Sequence, residues 1–406
     1  MIRSHQYLLG VIPKRNRSTR FILQGGKQME AYFDNSATTC PCPEAAAAAA
    51  EAFTQYYGNP SSLHAVGTAA QRRLEAARET AARLLRCESD EILFTGSGTL
   101  SNNAAVFGAA YALRRRGNRV VTTAVEHPSV AQAMNRLERE GFEVVRLPVD
   151  HFGRVNRMDL QQAINAKTVL VSMMWVNNEV GSIMPVEAIR SCVRRSGAPA
   201  LIHVDAVQAF GKLPLRPASF GIDLLSASAH KINGPKGAGL LYVRKGVKLS
   251  PYIVGGGQEG RGIYSGTQPM PSILGFDGAM RALPDLRMQL EQTAQLRDYF
   301  VAGALTIPDV VINSGADSLP YITNLSVMGH PAQTMLNYLS ERGIYVSGGS
   351  ACSKGHRSPV LTAMGLDPAR IDSALRISFS RFTTKEEVDY LLNGLASGAA
   401  ALKKKL

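Results

Sequence analysis

Seven short runs rich in Val, Ile, Leu and Thr fall between residues 91 and 243, at 91–94, 119–123, 143–147, 168–173, 200–204, 224–226 and 239–243. Helical spans separate most of them, 129–140 and 185–195 among others. Two more precede the first run: an alanine-rich span at 44–57, directly after Pro43, and a span at 68–86 with its charges on one face. Strands alternating with helices predict an α/β domain built on a mainly parallel sheet, here of seven strands. After about residue 288 helices dominate, and strand-like pieces are isolated at 321–326, 344–347 and 375–379. A chain of 406 residues is too long for one simple core. We therefore expect a large domain over 44–288 and a smaller α+β C-terminal domain made of 29–43 with 289–406. No internal repeat or long low-complexity linker interrupts this plan.

The formal net charge of +13 suggests a nucleic-acid binder until the charges are located. Residues 1–28 hold Arg3, Lys14, Arg15, Arg17, Arg20 and Lys27 with no acid, and Lys403, Lys404 and Lys405 close the chain. Without those nine the excess is modest, so no direct nucleic-acid partner is expected. No apolar run approaches a membrane span. The basic extension at 1–28 lacks an apolar core and a small-residue cleavage site. It reads either as an organellar transit peptide or as a translation start placed ahead of Met29, and a cytoplasmic location follows from the second reading. Five scattered cysteines, Cys40, Cys42, Cys87, Cys192 and Cys352, suit a reducing compartment. Cys40-Pro-Cys42 has no companion pair, so no metal site is expected.

Ligand sites in open α/β sheets lie beyond the carboxyl ends of the strands. Polar residues recur there. After 91–94 comes Thr95-Gly-Ser-Gly-Thr-Leu-Ser-Asn102, which offers a phosphate the N–H groups of a helix start, or simply caps that helix. His127 follows 119–123, Asn177-Asn-Glu-Val-Gly181 follows 168–173, and Asp205-Ala-Val-Gln208 follows 200–204. The run after 224–226 is Ser226-Ala-Ser-Ala-His-Lys-Ile-Asn-Gly-Pro-Lys-Gly237. A lysine among small residues sheds water readily, which favours the free amine that attacks carbonyls. The alternative is a plain lysine beside a glycine turn. Together, five polar strand ends in succession fit pyridoxal 5'-phosphate (PLP): Lys231 for a Schiff base, Asp205 for the pyridine nitrogen, His127 to stack on the ring and the 95–102 turn for phosphate. A nicotinamide site is excluded, because the turn lacks the three-glycine spacing.

Several of these segments belong to a longer series. Tyr32-Phe-Asp-Asn-Ser-Ala-Thr-Thr39, Gly58-Asn-Pro-Ser-Ser62, His127, Asn177–Gly181, His203-Val-Asp-Ala-Val-Gln208, Ser228-Ala-His-Lys231, Ser265-Gly-Thr267, Ser347-Gly-Gly-Ser-Ala-Cys352, Leu375-Arg-Ile-Ser378 and Arg381-Phe-Thr-Thr384 resemble the cysteine desulfurases of the NifS/IscS type, from Met29 to about Leu392. The resemblance implies the PLP-dependent transferase fold of type I and a homodimer with its active sites at the subunit interface. It implies that Lys231 carries PLP, His127 stacks on the ring, Asp205 pairs with the pyridine nitrogen, and Asn178 and Gln208 contact the ring oxygen. Gly98, Thr99, Ser228 and His230 would hold the phosphate, with Thr267 of the partner subunit. Arg376 would clamp the substrate carboxylate, with Asn178 and Asn35 on the substrate side. Cys352, on a loop spanning about 347–358, would take sulfur from L-cysteine as a persulfide, leaving alanine. It would pass the sulfur to an acceptor protein, an iron–sulfur scaffold or a thiolation enzyme. Nearby Lys354, His356 and Arg357 favour the thiolate such a step needs.

The chain departs from the family pattern in the phosphate turn, where Leu100 stands in place of the usual acid. Tyr264 replaces the arginine of the Arg-Ser-Gly-Thr motif, the segment 258–262 has one extra residue, and the cysteine loop is unusually basic. A selenocysteine lyase and a catalytically silent partner in a sulfur-transfer assembly remain open alternatives. The cysteine loop argues against an aminotransferase or a kynureninase.

Overall fold

The structure, a computed structural model, describes residues 29–259, 262–348 and 357–404. The basic extension at 1–28 and residues 349–356, which include Cys352, Lys354 and His356, lie outside the described residues.

The expected strands form one seven-stranded sheet. In chain order β1 is Ala31–Tyr32, β2 Ile92–Thr95, β3 Arg119–Thr123, β4 Glu143–Leu147, β5 Thr168–Met174, β6 Leu201–Asp205, β7 Leu224–Ser228, β8 Gly239–Val243, β9 Val310–Ile312, β10 Ile322–Val327, β11 Ile344–Tyr345 and β12 Ala374–Ser378. The large sheet has the order β2-β8-β7-β6-β5-β3-β4, and β8 alone runs against the rest. The sequence-based boundaries differ by up to three residues. Helix 44–57, for example, ends at Thr54, and the first strand starts at Ile92 because Ser89–Glu91 forms a 3-10 turn closed by a Glu88–Glu91 capping box. Strand β9 and the helix Arg157–Ala163 had no clear signal, being short.

Both faces of the sheet are covered, which is why its central strands carry unbroken apolar runs. All seven residues of β5 are buried. Side chains alternate between two cores. Phe94, Val171, Val204, Leu225 and Tyr242 face one, and Leu93, Leu170, Leu224 and Leu241 the other, the latter closed by helices Gly98–Ala112 and Pro128–Arg139. On the first face the alanine-rich helix Pro43–Thr54 lies against Met270–Arg281. A Cβ on Gly278 would sit 2.4 Å from the Glu44 carbonyl oxygen, so small residues on both helices permit the close approach.

A third core is built from the first strand and the chain from Phe300 onward. Strand β10 is central in an antiparallel sheet with β12 and β9, while β1 pairs with β11 in parallel. Phe33, Phe300, Leu325, Leu375, Phe379 and Leu391 pack there, with Phe379 edge-on to both Phe33 and Phe300. The first described strand therefore packs with chain more than 260 residues further on.

Gly239 opens β8 between Thr95 and Ser228, its register partners on β2 and β7. A Cβ there would lie 2.4 Å from the Ser97 carbonyl carbon and 2.6 Å from Thr95 Oγ1. Gly239→Ala should push the 95–98 turn outward and destabilise the fold by about 1–3 kcal/mol, read as a lower denaturant midpoint.

Candidate active site

The carboxyl ends of β2, β3, β5, β6 and β7 gather on one edge of the sheet, and each contributes a polar group. From β6, Asp205 is buried. Its Oδ1 accepts from the Val207 backbone N–H at 2.9 Å, and its Oδ2 accepts from Asn102 Nδ2 at 2.7 Å. The same Asn102 amide donates to Ser129 Oγ at 2.8 Å, and that hydroxyl lies 2.8 Å from His127 Nδ1. A continuous hydrogen-bonded chain thus links the acid to the histidine. Asn102 was not singled out from the sequence. Its signal is position, one turn after Gly98 on the helix that opens from the 95–102 turn.

Gly98 starts that helix, with Ser97 as N-cap accepting from the Leu100 N–H at 3.1 Å. The first-turn N–H groups have no intrahelical partners. A Cβ on Gly98 would lie 3.0 Å from Val207 Cγ2 and 3.3 Å from Ser228 Cβ, so the helix start sits directly against the ends of β6 and β7. Ser228 Oγ is buried there without a hydrogen-bond partner among the described residues. Thr99 is exposed, and it borders an open groove with His127 and Ser129.

Lys231 follows on a 3-10 turn spanning Ala229–Lys231. Its Nζ donates to the carbonyl oxygens of Ser36 and Ala37, the latter at 2.7 Å. The adjoining His230 lies 3.2 Å from Thr38 Oγ1, and its carbonyl accepts from the Thr39 N–H and hydroxyl. Gln208 Nε2 donates to the same Ser36 carbonyl at 3.0 Å, and Gln208 Oε1 accepts from Lys212 at 3.1 Å.

The antiparallel sheet supplies Arg376, which is buried on β12. It pairs with Asp34 at 2.7 Å and donates to the Asn178 carbonyl at 3.0 Å, while its Nε has no partner among the described residues. Asn35 donates to the carbonyls of Ser378 and Tyr32, which fixes the segment beside Arg376. The structure thus brings together all but two of the expected residues. Thr267 is exposed on the loop before the helix Met270–Arg281, and Cys352 lies outside the described residues. Asp34, Asn102, Glu126 and Lys212 were not singled out from the sequence.

Burial shapes the titration of these groups. Burial holds His127 below the ordinary histidine range, with Lys231 adding to the effect and Asp205 opposing it. His230 is brought down to about 4 by burial and then by Lys231. Both imidazoles are therefore neutral at pH 7. Lys212 comes down to about 7 through burial, reinforced by Lys231 and Arg376. Glu126, beside His127, is pushed up to about 8 by burial, with a smaller contribution from Asp205.

This fold and this lysine-centred edge define a class-V aminotransferase, and that family matches residues 31–391. Cysteine desulfurase IscS of Methanosarcina thermophila is 39% identical over 365 residues, covering 89% of this chain and 90% of that protein. Cysteine desulfurase IscS of Dictyoglomus turgidum is 38% identical over 371 residues, covering 90% and 93%. Among solved structures, a NifS-like protein superposes with a TM-score of 0.87 at 38% identity, covering 92% of this chain and all of that one. SspA in complex with cysteine does so at 0.77 and 31%, covering 87% and 100%. Within the class-V group, the chain belongs to the cysteine desulfurase family. That family is PLP-dependent, and the residues present fit the cofactor. The unpartnered Ser228 hydroxyl faces a helix start where a Cβ would crowd its neighbours, and a buried carboxylate and a lysine amine lie on the same sheet edge.

Glu126 gives a signed pH prediction. Its folded-state pKa lies above the unfolded value, so the unfolded chain loses this proton first. The group therefore costs nothing at acidic pH and lowers stability progressively from about pH 4.5 to about pH 8. Glu126→Gln should gain stability relative to the parent across that window and match it near pH 4. Chemical denaturation as a function of pH checks this.

Proposed function

We propose that this protein is a PLP-dependent sulfurtransferase that converts L-cysteine to L-alanine and moves the sulfur to Cys352. One substrate C–S bond breaks and one S–S bond forms on Cys352, whose thiol proton is accounted for in the released alanine, so no external oxidant is needed. PLP, when bound, supplies the electron sink that makes the bond to sulfur breakable.

The chain's own residues have separate tasks. Lys231 holds the cofactor and, once released, carries the Cα proton. Asp205, kept in place by Asn102 and the Val207 N–H, pairs with the pyridine nitrogen, and neutral His127 stacks on the ring. Gly98, Thr99, Ser228 and His230 hold the phosphate, and Asn178 and Gln208 contact the ring oxygen. Arg376 presents a planar fork to the substrate carboxylate, with Asn178 and Asn35 alongside.

The observation that carries this reading is the anchoring of the Cys352 segment. Ser347 exchanges backbone hydrogen bonds with Arg376 itself, and Ser358 donates to Glu179, the residue after Asn178. Both described ends of the cysteine segment are thus tied to the substrate clamp. Cys352→Ala should keep PLP and still bind cysteine, yet form almost no alanine. Near-normal alanine production would refute the nucleophile. Arg376→Lys should lose about thirty- to a thousandfold in kcat/KM for cysteine with normal PLP content, since a charge-assisted pair is worth roughly 2–4 kcal/mol. A wild-type value in a cysteine titration would place the carboxylate elsewhere.

A homodimer completes the site in this reading. Exposed Thr267 supports it as a residue reaching the partner's phosphate, and exposed Phe53, Tyr57 and Leu63 offer apolar surface. Sedimentation should give twice the chain mass, and Thr267→Ala should weaken PLP retention. The sulfur acceptor is a protein, an iron–sulfur scaffold or a thiolation enzyme. No helix among the described residues is long and apolar enough to cross a membrane.

A further inference from the structure

Lys212 is 6% exposed and forms no salt bridge among the described residues. Burying a lysine without an acid is costly, as its lowered pKa records, so an apolar residue here would serve packing better. Its ammonium stands 5.5 Å from the centre of the Tyr321 ring and borders one small cavity with Lys231. Its directed hydrogen bond goes to Gln208 Oε1. From there the line continues through Gln208 Nε2 to the Ser36 carbonyl, which also accepts from Lys231. As the ammonium, below about pH 7, Lys212 only donates, and above that its amine still has N–H groups to donate, so in either form it draws the oxygen of a facing amide toward itself. With Lys212 in place, the Gln208 oxygen faces Lys212 and its NH2 group faces Lys231. One of the two N–H bonds is used by Ser36, and the second remains.

We propose that Lys212 is a positioning residue that locks the Gln208 amide, so that its second N–H points at the ring oxygen of PLP held on Lys231. The inference rests on reading Lys231 as the cofactor lysine and Gln208 as its ring-oxygen contact. A donor at that oxygen stabilises its ionised form. Without Lys212 the amide is free to turn its own oxygen inward, and the titration of the bound cofactor moves to higher pH.

The test is a pH titration of the visible absorption of bound PLP in the full-length holoprotein, without turnover. Lys212→Met should raise the titration pH by about one unit. Lys212→Arg, which keeps the donors and the charge, should restore it close to the parent. Gln208→Leu should shift it in the same direction, and adding Lys212→Met to Gln208→Leu should shift it little further. Full additivity in the double variant would show that Lys212 acts by charge alone, and a parental titration in Lys212→Met would show that it does not act at all. Either result overturns the proposal. Should the methionine variant not fold, Lys212→Gln reads the same, because its amide accepts as well as donates and no longer dictates the orientation of Gln208. A parent protein with no visible PLP band would refute the cofactor reading itself.

Discussion

Two backbone carbonyls, those of Ser36 and Ala37, receive the ammonium of Lys231, and the rest of the site is arranged around that contact. The segment carrying them is fixed from both sides. Phe33 is buried in the third core, Asn35 and Ser36 bond to Ser378, and Thr38 and Thr39 bond to His230. A stretch of seven residues thus joins the C-terminal core to the large sheet at the point where the lysine emerges. Because carbonyls only accept, they orient the amine through its N–H groups.

The electrostatics follow from what surrounds this contact. Lys231, Lys212 and Arg376 share one region; Asp34 pairs with Arg376, buried Glu179 lies near it with its pKa raised by burial, and Asp205 is held by Asn102 and the Val207 N–H. Glu126, the other buried acid close to His127, keeps its proton at neutral pH through burial. The field is therefore positive where an anionic phosphate and an anionic carboxylate would enter, and negative at Asp205, where a pyridinium would sit. Neutral His127 between them adds no charge of its own and suits ring stacking better than ion pairing.

Much of this was legible in the sequence, for a physical reason. Buried parallel strands must be apolar along their length, so a polar residue at the end of such a run has to be tied to something local or to a ligand. Asp205, His127 and Lys231 were found in that way. Residues that act across the fold were not. Asn102 reads as an ordinary polar residue in a helix until the helix is laid across β6, and Asp34 has no visible partner until β12 brings Arg376 beside it. Lys212 followed a glycine and carried no pattern at all; only its burial against Gln208 reveals it. The short strand β9 escaped because three residues are too few for a period to register.

The departures from the family pattern also gain meaning from their placement. A Cβ on Gly96 would lie 3.1 Å from Leu100 Cδ1 and 3.7 Å from the Tyr264 hydroxyl, so both departures face the same spot over the phosphate turn. The family pattern would put an acid and an arginine at these two positions, opposite charges of equal size. Losing one alone would leave an unpaired charge next to the helix start at Gly98, where an extra acid or base would alter phosphate binding directly. Changing both together leaves the local formal charge as the family pattern has it. Two departures that lie 164 residues apart in the chain are neighbours in the fold, both beside Gly96 at the start of the phosphate turn.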